Sequence, residues 1–131
     1  MAEGLFFDPE NNQKDITEYK GKYLLFDFWS VGCAPCIAAF PEMKEIHEAH
    51  SDKLTIISIS TETRDVWQEG LKRYPLPWIN LNDFKGMSGY SARYGVRGIP
   101  TYVLVSPHGI VEKIWSGYGK GSLKEKLKDI F

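Results

Sequence analysis

The chain uses cysteine twice, and both copies stand in one short stretch, Cys33-Ala34-Pro35-Cys36. With two residues between them, a single helical turn brings the second sulfur to the first. A disulfide can then close and open with little backbone movement. The attacking species in such chemistry is a thiolate, and a helix N-terminus, carrying about half a positive charge, favours thiolate over thiol. Pro35 suits a first helical turn, where its missing N–H is no loss. The pattern points to a redox-active dithiol. A purely structural disulfide is the competing reading, but so short a loop removes little unfolded-state entropy and would stabilise weakly. A zinc site calls for four ligands, and His47, His50 and His108 read as solvated surface residues rather than partners for two cysteines. No metal and no organic cofactor is implied.

The next informative residue is Asp27, in Tyr23-Leu24-Leu25-Phe26-Asp27-Phe28-Trp29. That run is otherwise apolar on both alternating faces, as in a strand buried on both sides within an α/β sheet. A carboxylate there is costly without a partner, and burial should raise its pKa. One reading makes Asp27 the proton acceptor for a buried Cys36. The other makes it an exposed residue at a bend in the strand's end.

Further elements must hold these groups in place. Ile37, Phe40, Met43 and Ile46 predict a helix with one buried stripe reaching about His50, with Pro41 inside it to remove a donor and kink it. Leu54 to Ile59 is a β-branched strand. Thr63 to Tyr74 reads as a helix that stops before Pro75-Leu76-Pro77. Ile79 and Leu81 suggest a short strand, and Ser88 to Tyr94 a short helix. Thr101 to Val105 and Ile110 to Trp115 form a hairpin around Ser106-Pro107-His108-Gly109. Ser122 and Glu125 have the spacing of a capping box at the start of a last helix. Trp29, Trp67, Trp78 and Trp115 read as packing residues. The expected class is α/β, with a central mixed β-sheet flanked by helices on both faces, in a single domain over residues 1–131.

On these residues the chain resembles the thioredoxin superfamily, and within it the TlpA/ResA-like branch of bacterial thiol-disulfide oxidoreductases. Asp27-Phe28-Trp29, the CxxC, Pro41 beyond it and Tyr94 to Thr101, including Gly98-Ile99-Pro100, carry the likeness. The stretch from Ser60 to Asp83 resembles the helix-containing insert of the TlpA branch, placed before the cis-proline strand. The resemblance implies a thioredoxin fold, catalytic roles for Cys33, Cys36 and Asp27, and a cis Ile99–Pro100 bond facing Cys33. It also implies a substrate surface formed by Trp29, Gly32, Ala34, Pro35, Ile99 and Pro100, where Ile99 backbone pairs with an extended substrate. The family usually has tryptophan where this chain has Gly32, which should leave Cys33 less covered and its loop more flexible. Some members of the branch lack the buried Asp and use a Glu after the following strand; Glu62 is only near that position.

The implied partners are protein disulfide substrates and an upstream dithiol electron donor, with the chain a monomer. Sixteen basic against seventeen acidic residues give a net charge of −1, which leaves no electrostatic footprint for nucleic acid. No apolar run approaches the roughly 20 residues of a membrane helix. Met1 to Asp15 lacks the basic start and apolar core of a signal peptide. The expected location is extracytoplasmic, in a bacterial periplasm or cell envelope, if a leader has been removed; the alternative is cytoplasmic. Two other function classes compete. A thiol-dependent peroxidase on the same fold needs a Thr and an Arg beside its cysteine, and no such Thr stands beside Cys33. A non-catalytic binding module tends to lose a cysteine, and both are present.

Overall fold

The computed structural model describes residues 1–131. In chain order the elements are β1 (Leu5–Phe7), β2 (Gln13–Asp15), β3 (Tyr23–Trp29), α1 (Ala34–His50), β4 (Leu54–Ser60), α2 (Arg64–Arg73), β5 (Ile79–Asn82), β6 (Thr101–Val105), β7 (Val111–Ser116) and α3 (Ser122–Leu127). Short 3₁₀ segments lie at Ile16–Tyr19, Gly86–Ser88, Tyr90–Tyr94 and Lys128–Ile130. All strands join one sheet in the order β2-β1-β5-β4-β3-β6-β7. β3 sits between β4, to which it is parallel, and β6, to which it is antiparallel. Its apolar run is explained by that position: both neighbours and both faces are covered, and Leu24 to Trp29 are all buried.

The alternation of β3 divides the core. Leu25 and Trp29 pack on one face with Cys36, Ala39, Phe40, Met43 and Ile46 of α1, Trp67 of α2, and Leu123 and Leu127 of α3. Leu24, Phe26 and Phe28 pack on the other face with Ile57, Ile59, Val103, Tyr90 and Ile16. Both faces are therefore covered, but all three α-helices lie on the first. The second is closed by the 3₁₀ segments around Ile16 and Tyr90, so the helix expected over Ser88 to Tyr94 is a 3₁₀ turn over Tyr90–Tyr94.

Several expectations are corrected. β1 and β2 are additions to the expected elements: at three residues each they are too short to show a period, and β2, the edge strand, is polar throughout (Gln13-Lys14-Asp15). Ser122 and Glu125 do not form a capping box. The N-cap of α3 is Gly121, without a side-chain bond of its own. The exposed helix-start amides are met instead by Glu42 of α1, whose carboxylate accepts from the N–H groups of Gly121 (2.6 Å) and Lys124 (2.9 Å) and from the Tyr118 hydroxyl (2.8 Å). His47 and His50 are not free in solvent: His47 packs edge-on against Trp78, and His50 stacks on Phe131 with ring centroids 3.6 Å apart. α1 continues through Pro41 to His50.

Candidate active site

The C-terminal end of β3 delivers the cysteines. Cys33 is the N-cap of α1, in extended geometry, and Pro35 falls in the first turn. Cys33 and Cys36 are joined as a disulfide with their Cα atoms 5.2 Å apart. The Cys36 backbone N–H points at Cys33 Sγ, 3.2 Å away. In the reduced protein that donor and the helix start both favour a Cys33 thiolate. Gly32, Ala34 and Pro35 are exposed, and the space where a side chain would grow from Gly32 is open. Cys33 nevertheless is only 9% exposed, against 0% for Cys36. Its side chain turns inward onto Cys36 and the apolar cluster beneath, so Gly32 uncovers the loop more than the sulfur. The order of accessibility, Cys33 over Cys36, is as expected.

The loop before Cys33 is braced from α2. The Val31 N–H donates to Glu62 Oε1 at 2.7 Å, so Glu62, in the connection between β4 and α2, anchors the active-site loop. Gly70 of α2 lies so close that a Cβ there would overlap the Val31 side chain. A shallow groove beside the loop is lined by Val31, Asp65, Val66, Glu69, Gly70 and Arg73.

Asp27 is buried, with 1% of its surface exposed, in the middle of the sheet. The exposed strand-end reading is thereby overturned. Strand alternation puts Asp27 on the same face as Leu25 and Trp29, beneath α1. Its register partners are Ser58 of β4 and Tyr102 of β6. Ser58 Oγ donates to Asp27 Oδ2 at 2.7 Å, and Trp78 Nε1 donates to Ser58 Oγ at 2.8 Å. Asp27 Oδ1 has no hydrogen-bond partner. Burial pushes the Asp27 pKa up from 3.8 to about 7, with the Ser58 hydrogen bond pulling the other way. A carboxyl poised there exchanges protons near neutral pH. The Tyr102 hydroxyl is also pushed up, first by burial and then by Asp27.

The remaining expected residues divide. The Ile99–Pro100 bond is cis. Thr101 pairs with Phe28, so Ile99 and Pro100 lie beside the end of β3 from which the cysteine loop leaves. Thr101 Oγ1 donates to Gly98 O at 2.7 Å and shapes this turn. Pro100 is buried and Ile99 half-buried. The N–H and C=O of Ile99 make no hydrogen bond within the chain, whereas Pro100 O accepts from Gly117 N–H. Trp29 does not belong to the surface: it is fully buried and packs edge-on against Phe40, ring centroids 5.2 Å apart. As the last residue on the α1 face of β3 it points into the core, so its expected substrate contact is corrected to a packing role. Nowhere do three or more His, Cys, Asp or Glu side chains converge as a metal ion would require.

Ser58 and Trp78 were missed as site residues. Serine in a β-branched strand carries no signal of its own, and the link became visible only through the lateral register of β3 and β4.

A mixed sheet with a CxxC disulfide at the start of the helix after its central strand defines a thioredoxin-fold thiol-disulfide oxidoreductase. The chain belongs to the Thioredoxin-like family, whose model matches residues 21–111. It is 29% identical over 125 residues to the thiol-disulfide oxidoreductase ResA of Halalkalibacterium halodurans, covering 94% of this chain and 70% of that protein. It is 26% identical over 120 residues to the thioredoxin-like protein YneN of Bacillus subtilis, covering 88% and 69%. In structure it superposes on a thiol-disulfide oxidoreductase from Bacteroides fragilis with a TM-score of 0.84 at 24% identity, over 99% of this chain and 98% of the other.

Proposed function

We propose that the protein reduces protein disulfides by dithiol–disulfide exchange, with Cys33 as nucleophile, Cys36 as resolving thiol and Asp27 as proton acceptor. The observation that carries this reading is the helix-start pair of unequal accessibility above a buried carboxyl on the same face of the sheet. The Cys33 thiolate attacks one sulfur of the substrate disulfide, forms a mixed disulfide and releases the other sulfur as a thiolate. Asp27 takes the Cys36 Sγ proton. The Cys36 thiolate then attacks Cys33 Sγ, closes the intramolecular disulfide and releases the second substrate thiol. The substrate gains two electrons and the protein loses two, which an upstream dithiol donor restores.

Docking is supported by two features. The unpaired backbone groups of Ile99, beside the end of β3 from which the cysteine loop leaves, offer an extended peptide one residue of strand-like pairing. The groove along Val31 and Val66 offers apolar contact, Val66 being 46% exposed. The chain works in this reading as one monomeric domain in an extracytoplasmic compartment, a location supported by the family resemblance; no helix is long and apolar enough to cross a membrane. The test is turnover of a disulfide-bonded protein by dithiothreitol in the presence of this protein. Acceleration that disappears in Cys33→Ser is expected; a rate equal to dithiothreitol alone overturns the proposal.

A further inference from the structure

We infer that Ser58 and Trp78 are positioning residues: the chain of hydrogen bonds from Trp78 through Ser58 to Asp27 Oδ2 makes Oδ1 the oxygen that takes and gives the proton. The inference deepens the proposed function and rests on its assignment of Asp27 as proton acceptor.

Each donor in this chain has one hydrogen to place. Trp78 Nε1 is only a donor and has one hydrogen, which it places on Ser58 Oγ at 2.8 Å. Ser58 has one hydroxyl hydrogen, and Asp27 Oδ2 at 2.7 Å is the acceptor within its reach. If Asp27 instead donated from Oδ2 to Ser58, the serine would accept twice and its own hydrogen would be left without a partner in a site with no exposed surface, which carries the full desolvation penalty of an unpaired donor. Oδ2 therefore remains an acceptor in both charge states of Asp27. The proton of the neutral acid sits on Oδ1, which makes no other bond.

The same chain links the acid to the cysteine helix. The Trp78 ring lies against Phe40 of α1 (centroids 6.4 Å apart) and His47 of α1 (5.8 Å apart). The helix that begins with the dithiol thus holds the indole whose N–H orients Ser58. Titratable groups on the elements packed around this chain include Tyr102 on β6, Cys33 and Cys36 at the start of α1, His47 of α1 against Trp78, and the buried Glu42 of α1 with Tyr118, both of which act on Tyr102. No salt bridge involves Asp27, so no lysine or arginine performs the orienting role.

The experiment follows the Asp27 carboxyl carbon by NMR across pH in the full chain, together with the pH–rate profile of disulfide reduction. Ser58→Ala removes the one hydrogen bond that favours the ionised carboxyl. It should raise the Asp27 midpoint, and the alkaline shift of the rate profile with it, by about one pH unit. Trp78→Phe keeps the ring but frees Ser58 to accept from Oδ2, and should move both in the same direction by less. Ser58→Thr restores the hydroxyl and should return both toward wild type. An unchanged carboxyl midpoint in Ser58→Ala and Trp78→Phe overturns the positioning role even if Asp27→Asn slows turnover. Conversely, if Asp27→Asn leaves turnover unchanged, the proton-acceptor assignment fails, while the carboxyl titration still decides whether Ser58 and Trp78 orient the acid.

Discussion

Replacing Asp27 by asparagine should make the protein more stable at alkaline pH and remove a specific pH dependence. Burial lifts the folded-state pKa of Asp27 from 3.8 to about 7. The unfolded chain releases this proton near pH 4, while the folded protein holds it until about pH 7. Stability from the neutral acid is thus fully present below the unfolded value, and is lost as pH rises through the folded one. The span is about three pH units, and at 1.36 kcal/mol each the ionised carboxylate costs up to about 4 kcal/mol above pH 7. Asparagine is close in shape, still accepts from Ser58, and carries no charge to bury. At pH 8, Asp27→Asn should therefore be more stable than wild type by up to about 4 kcal/mol, with the gap closing to well under about 1 kcal/mol near pH 4. Urea denaturation of the oxidised proteins at half-unit steps from pH 4 to 8.5 reads this directly. With slopes of about 1–3 kcal/mol per molar, the gap at pH 8 is more than about 1 M in midpoint. Parallel curves for the two proteins, or a variant less stable at pH 8, would refute the claim that Asp27 is buried without sufficient compensation.

Other outcomes follow from single contacts. Glu42→Ala leaves the start of α3 and the Tyr118 hydroxyl without their acceptor; it should cost about 2–3 kcal/mol in chemical denaturation while leaving cysteine reactivity unchanged. Burial raises the Glu42 pKa, but hydrogen bonds from Lys124, Tyr118 and Gly121 outweigh it and hold the value below normal. The stabilisation should then be present above the ordinary 4.5 and lost as pH falls through the lowered folded value, a loss absent in Glu42→Ala. Gly70→Ala forces a methyl into the Val31 side chain; a destabilisation of about 1–3 kcal/mol with a changed alkylation rate at Cys33 is expected, and a neutral result would show that the loop yields freely.

Much of this was legible locally. The apolar run Tyr23 to Trp29, the stripe from Ile37 to Ile46 and the CxxC between them are patterns carried by neighbouring residues, and each became the expected element. Asp27 stood out because a charge in a buried strand conflicts with its surroundings. What the sequence did not disclose depends on register and on contacts across long separations. Ser58 meets Asp27 only because β4 pairs with β3 in one alignment, and Trp78 reaches Ser58 from the approach to β5. Nothing near Glu42 in the sequence marks it, yet it caps a helix about eighty residues further on. The family resemblance alone implies a surface role for Trp29, whereas strand alternation turns it inward, in keeping with its reading as a packing residue.

Trapping distinguishes the attacking thiol, Cys33, from the resolving thiol, Cys36. The Cys36→Ser and Cys33→Ser proteins, each reduced, are mixed with a disulfide-bonded protein and quenched with acid, and the adducts are weighed by mass spectrometry. A mixed disulfide through Cys33 should persist in Cys36→Ser, and none should form in Cys33→Ser. Equal trapping by the two variants, or an adduct formed through Cys36, would contradict this division of roles.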